Sequence, residues 1–301
     1  MLYDEAIAAF FPARPEGTPV PSAVSAGSPA RRLRDAVEPL AAHPIWSRRV
    51  NEAQAALGLD FLSGYLWGRA AALGDPTAGA TAAAFAWFEP SLVAGVLAAG
   101  QAAVGRDELL EVRDRETAAS AEQVLAGEDL AADADLLLAA ARTLPVVGRP
   151  LYAGLLDRPV PDGPAARLQR ASELLREARG DAHTAVAVAA GLGAVEMNVL
   201  TELWLGMDLG SYTGTRGWSP EALEAAVEAL RQRGWLTGQA LSDEGRAGRA
   251  ALEAATDAAM APAVGALGAD VDGLLARLQA WGERCVQAGA FPADVLKRAA
   301  G

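Results

Sequence analysis

The chain is poor in cysteine, lysine and histidine, and each shortage excludes something. Cys285 is the one cysteine, which rules out a disulfide scaffold and suits a reducing compartment. Lys297 is the one lysine, so positive charge rests almost wholly on arginine. Histidine occurs only at His43 and His183. With no His-x-x-x-His pair and a single thiol, a tetrahedral metal site is hard to assemble, and no metal or other cofactor is expected. Gly-x-Gly-x-x-Gly, Walker A and Gly-x-Ser-x-Gly motifs are missing, so nucleotide binding and serine hydrolysis have no local support. The start, Met1-Leu-Tyr-Asp-Glu, lacks the positive segment of a secretory signal. No run reaches the roughly 20 apolar residues of a membrane span. A cytoplasmic protein with no membrane partner is expected.

What is present is apolar and acidic. Of 301 residues, 51% are hydrophobic and 21% charged, with a formal net charge of −12. That apolar fraction excludes wholesale disorder, and the length suggests about two domains. The acid excess argues against a protein that coats nucleic acid, since phosphate binding is carried by clustered cations.

Periodicity predicts an all-α protein. Prolines at Pro12, Pro15, Pro19, Pro21 and Pro29 mark residues 1–29 as a flexible leader. From Ala30 onward apolar residues recur at three and four, and helices are expected at Thr77–Trp87, Ser91–Val104, Asp107–Leu125 and Asp129–Leu144. The Pro-rich stretch Arg149–Pro164 is the strongest break, separating a first unit (30–148) from a second (165–301). Beyond it the expected helices are Ala165–Ala178, Asp181–Ala190, Ala194–Leu205, Ser219–Arg233, Asp243–Met260 and Val271–Gln287. A minimal hairpin is expected at Trp235–Leu241. Trp87-Phe-Glu-Pro90-Ser-Leu and Trp218-Ser-Pro220-Glu-Ala-Leu share a pattern, which is consistent with two copies of one helical unit.

The order helix, Gly234 turn, hairpin, helix is that of a winged helix. Leu230-Arg-Gln-Arg-Gly-Trp-Leu236, followed by Leu241-Ser-Asp-Glu-Gly-Arg246, resembles the end of a MarR-type winged helix. Arg176-Glu-Ala-Arg-Gly-Asp-Ala-His183, Glu196 and Thr215-Arg-Gly-Trp218 resemble an actinobacterial helix-turn-helix family over about His43 to Thr256. The resemblance implies tandem winged-helix-like units and little chemistry. It also implies a DNA-reading helix at Ser219–Arg233, yet Glu221, Glu224 and Glu228 run along it at three- and four-residue spacing. Carboxylates repel phosphates, and the wing Thr237–Ala240 holds no cation. DNA is therefore a disfavoured partner.

Polar residues in apolar surroundings are the candidate site. Arg179, Asp181 and His183 flank Gly180. Asp181 is a natural helix N-cap. His183 is either a hydrogen-bonded core imidazole or a cavity-facing one whose protonation a neighbour sets. Glu196 and Glu202 lie on a helix that is apolar nearly all round, so they need partners, with Arg179 or Arg216 as candidates. The loop Gly206–Gly217 carries Tyr212, Arg216 and four glycines. Trp67, Trp204 and Trp218 sit at helix ends, where tryptophans pack units together or line a pocket between them. The leading expectation is a small-molecule-binding protein with its pocket between helical units. The alternatives are a MarR-like transcriptional regulator and a cofactor-independent enzyme of secondary metabolism using His183 or Glu196 as acid or base.

Overall fold

The computed structural model describes residues 1–11 and 27–300. Most of the expected leader, residues 12–26, lies outside the described residues, but its start is a helix: α1 (Tyr3–Phe10) sets Phe10 5.5 Å from the Trp46 ring. The first half continues with α2 (Pro29–Ala41), α3 (His43–Trp46), α4 (Arg48–Ala56), α5 (Phe61–Ala70), α6 (Ala78–Phe85), α7 (Pro90–Ala103), α8 (Arg106–Val124) and α9 (Ala131–Ala141). After α10 (Pro150–Leu156) come α11 (Pro164–Ala189), α12 (Ala194–Leu205) and α13 (Pro220–Gln232). The only strands among the described residues are β1 (Leu236–Thr237) and β2 (Ala240–Leu241), antiparallel with Leu236 opposite Leu241. The remaining helices are α14 (Asp243–Ala258), α15 (Ala261–Ala266), α16 (Val271–Gln287) and α17 (Val295–Ala300). The protein is all-α, as the periodicity predicts.

Local chemistry explains the boundaries. Side chains of Ser28, Asp60, Thr77, Glu89, Ser219 and Ser242 each accept a backbone N–H in the first turn of the following helix. Proline opens α2, α7, α10, α11 and α13, where its missing N–H costs nothing. Gly238, at φ +63°, supplies the left-handed residue the two-residue hairpin turn needs.

One expectation fails here. Gly180 does not break a helix: α11 runs unbroken for 26 residues, about 39 Å at 1.5 Å per residue. Its neighbours favour helix strongly enough to absorb the roughly 1 kcal/mol that glycine costs. The Pro-rich stretch Arg149–Pro164 contains ordered structure. It holds α10, whose Tyr152 is fully buried and donates its hydroxyl to the carbonyls of Ala141 and Leu144.

Helix α11 is the spine. The largest core cluster gathers Leu33 and Val37 of α2, Leu137 of α9, Leu168 and Leu175 of α11, and Leu278 and Trp281 of α16. A second cluster joins α5 to α8 around Trp67, and a third joins α12, α13, the hairpin and α14 around Leu200 and Leu230. Unusually many charged side chains of α11 are buried: Arg170, Glu173, Glu177, Arg179 and Asp181. The run Arg106–Glu116, which alternates charge like a solvated face, is half interior. Arg113 pairs with Glu173, and Asp114 takes Arg158 at 2.8 Å and Arg170 at 2.9 Å. No single helix among the described residues is long and apolar enough to cross a membrane.

Candidate functional site

The buried charge converges on one cavity of about 120 Å³ where α2, α5, α11, α12, α14 and the 206–217 loop meet. Its wall carries seven arginines (Arg31, Arg34, Arg69, Arg176, Arg179, Arg216 and Arg249) against three glutamates (Glu38, Glu177 and Glu253). A chain with a net charge of −12 has thus gathered cations around its central void. Helical spacing does the gathering. Arg31, Arg34 and Glu38 fall on one face of α2, and Arg176, Arg179, Gly180 and His183 on one face of α11.

Two glutamates organise most of the arginines. Glu253 accepts from Arg31 at 3.2 Å, Arg179 at 2.8 Å and Arg249 at 2.7 Å. Burial opposes its charge, but Arg249, Arg179 and Arg31 outweigh it and hold the carboxyl far below the usual range. Glu177 accepts from Arg69 at 2.7 Å and Arg176 at 3.0 Å; burial again opposes, and these cations bring its pKa down to about 2. Arg176 also reaches Glu38 at 3.1 Å. Positive charge remains in excess: burial, with help from neighbouring cations, lowers the pKa of both Arg31 and Arg249.

Arg216 differs from the other six. Among the described residues no carboxylate lies within ion-pair range of it. Its Nη1 donates to the Thr215 hydroxyl at 3.0 Å, and its buried Nε has no hydrogen-bond partner. The guanidinium is instead stacked between rings, 4.1 Å from Tyr212 and 4.8 Å from Phe88.

The sequence-predicted residues divide. Arg179, His183, Tyr212 and Arg216 line the cavity. His183 lies 5.7 Å from the Trp87 ring, and its Nδ1 is 2.9 Å from the Thr256 hydroxyl. That hydroxyl donates to the Leu252 carbonyl, so Nδ1 carries the proton and Nε2 is left as a lone-pair acceptor. Burial, reinforced by Arg249, lowers the imidazole pKa to about 3, so His183 is neutral near pH 7 and is no switch there. Trp204 sits behind the wall, its ring 4.3 Å from the Arg249 guanidinium and 5.4 Å from that of Arg31.

Other candidates serve the frame. Asp181 lies within α11 and caps no helix of its own; it accepts the Tyr152 N–H at 3.0 Å and so caps α10 from the side. Burial raises its pKa to about 7. Glu196 accepts the Gly193 N–H at 2.6 Å and closes the start of its own helix. Glu202 pairs with neither Arg179 nor Arg216. Fully buried, it accepts the N–H groups of Gly210, Tyr212 and Thr213 at 3.0, 2.7 and 2.7 Å, so the loop that carries Arg216 is wrapped around it. Trp67 is buried in the α5–α8 core and donates to the Val104 carbonyl at 3.2 Å. Trp218 donates to the Trp87 carbonyl at 2.9 Å, joining the two Trp segments that share a sequence pattern.

Sequence reasoning missed Arg31, Arg34, Arg69, Arg176, Arg249, Glu177 and Glu253. Arg31 and Arg34 lie on a helix whose five charged residues read as an ordinary polar face, so their burial left no signal. The Arg69–Glu177 pair spans 108 positions and leaves none.

The face expected to read DNA is acidic and outward. Glu221, Glu224 and Glu228 of α13 are exposed. Arg233 is spent on the Ala190 and Gly191 carbonyls at the end of α11, and Arg231 on the Gly238 carbonyl of the hairpin. No curated protein and no solved structure matches the chain. A family model described as a helix-turn-helix family matches residues 30–292. That span takes in the cavity arginines together with α12, α13 and the hairpin, and the chain belongs to this helix-turn-helix family.

Proposed function

We propose that this chain is a small-molecule-binding member of its family and that the ligand is an anion held in the arginine-lined cavity. The observation that carries the reading is Arg216, a half-buried cation with no carboxylate partner among the described residues, in a wall already rich in positive charge. A guanidinium withdrawn from water and left unpaired is costly, and an anionic ligand removes that cost. His183, neutral with a free Nε2, adds an acceptor for a ligand hydroxyl or N–H.

Thermal denaturation with acetate, phosphate and neutral acetamide tests this. The anions raise Tm in a saturable way that weakens as sodium chloride increases, and acetamide does not. Arg216→Gln removes about tenfold or more of the anion affinity, the worth of a charge-assisted hydrogen bond. No saturable anion effect on the wild-type chain would refute the reading.

The second reading is a MarR-like regulator on winged-helix units, favoured by the family match and by the order α12, α13, hairpin, α14. It requires binding to a DNA duplex with steep salt dependence, which the exposed glutamates of α13 oppose.

A further inference from the structure

Next to the cationic cavity lies a second chamber of about 380 Å³, and its character is opposite. Its walls are largely apolar and include the rings of Phe10, Trp46, Phe61 and Phe291. The Trp46 ring lies 5.2 Å from Phe61 and 5.5 Å from Phe10, with the rings tilted. The two chambers share Glu38, Tyr65, Phe88, Arg176, Tyr212 and Arg216 in their linings, so one continuous site runs from rings to guanidinium groups, and the one carboxylate at the junction, Glu38, is already paired with Arg176 at 3.1 Å.

We infer that the ligand is an aromatic monoacid: a multi-ring apolar body in the second chamber, with its one acidic group on Arg216. This rests on the anion-binding reading above and extends it. Three observations select the class. Arg216 stands at the junction of the chambers and is the one cavity arginine among the described residues without a carboxylate, so a single acidic group placed there supplies the missing partner. The cationic cavity, at about 120 Å³, accommodates an acid group and its nearest atoms but not a ligand body. The adjoining chamber accommodates a body, and walls of tilted rings favour another ring in stacked or edge-on contact.

Isothermal titration of the full chain separates the parts of this inference. The probes are naphthoic acid, naphthalenemethanol as its neutral analogue, acetate, and decanoic acid as an alkyl acid. Naphthoate is expected to bind at least about tenfold more tightly than acetate, the alcohol and decanoate. Arg216→Gln brings naphthoate down to the affinity of the alcohol. Ala9→Trp, which places a ring inside the apolar chamber from an exposed turn of α1, lowers naphthoate binding at least about tenfold by occupying its space. Acetate binding with no gain for naphthoate overturns the two-chamber site and leaves the anion cavity standing. Decanoate binding as tightly as naphthoate overturns the aromatic class. Failure of every anion, acetate included, overturns both readings.

Discussion

The cavity wall and the outward face of α13 use charge in opposite ways. On α13 the glutamates point into water, where each is solvated and worth little to stability. Around the cavity the arginines point inward, and Glu253, Glu177 and Glu38 lie within about 3 Å of Arg69, Arg176, Arg179 and Arg249, while Arg216 has no such partner among the described residues. The proposed anion-binding reading rests on this difference: buried cations gather around a cavity, while the helix expected to read DNA presents carboxylates.

The largest effect is expected at the hub. Glu253→Gln leaves Arg31, Arg179 and Arg249 without their shared carboxylate and should cost about 3–5 kcal/mol, the usual penalty for breaking a buried ion cluster from one side. Urea denaturation measures it. Added acetate should recover part of the loss by supplying a negative charge. A change below about 1 kcal/mol would mean that these arginines are solvated, and the contrast between wall and face would vanish.

Asp181 sharpens the comparison, because it is a buried acid without an ion pair to any cation among the described residues. Its folded pKa, about 7, stands above the ordinary 3.8. The folded state therefore holds this proton more tightly than the unfolded chain. The stabilisation is complete below pH 4 and is lost as pH rises toward 7, in total on the order of 4 kcal/mol. Glu177, lowered to about 2, acts in the other direction, adding stability above its ordinary 4.5 that disappears in acid. Asp181→Asn keeps an acceptor for the Tyr152 N–H and should flatten stability between pH 4 and 7 relative to wild type. An unchanged pH profile would show that Asp181 is solvated.

At the cavity mouth, Arg216→Gln should cost an anionic ligand about 1.5–3 kcal/mol of binding while costing the fold far less, since no carboxylate is left unpaired by its loss. Titration of the variant beside its denaturation curve checks both halves. A large loss of stability with intact anion binding would make Arg216 a structural residue.

How much of this was legible in the sequence follows from where the information lies. Helix spacing and capping residues are local, so Ser219-Pro220 and Ser242-Asp243 announced α13 and α14 to within a residue or two. Gly180 misled because glycine's preference to break a helix is weaker than the packing of α11 against its neighbours. Of the site, Arg179, His183, Tyr212 and Arg216 were visible as polar residues in an apolar or glycine-rich setting. Glu202 was visible too, but its partners are backbone N–H groups, which no side-chain pattern encodes. Arg31 meets Glu253 across 222 positions, and only the folded chain brings them together.

The smallest effect is the one expected on α13. Glu221→Gln, Glu224→Gln and Glu228→Gln together remove three exposed carboxylates. Each is expected to change stability by no more than about 0.5 kcal/mol, as for surface positions without buried partners. Acetate affinity should not move, because this face and the cavity share no residue. Lysine at the same three positions should add weak duplex binding that falls steeply with salt, since the fold then presents cations where a groove-reading helix needs them. Fluorescence anisotropy with a labelled duplex reads this directly. If the unaltered chain already binds the duplex with steep salt dependence, the acidic face is no barrier, and the interior loses its claim to be the only working part.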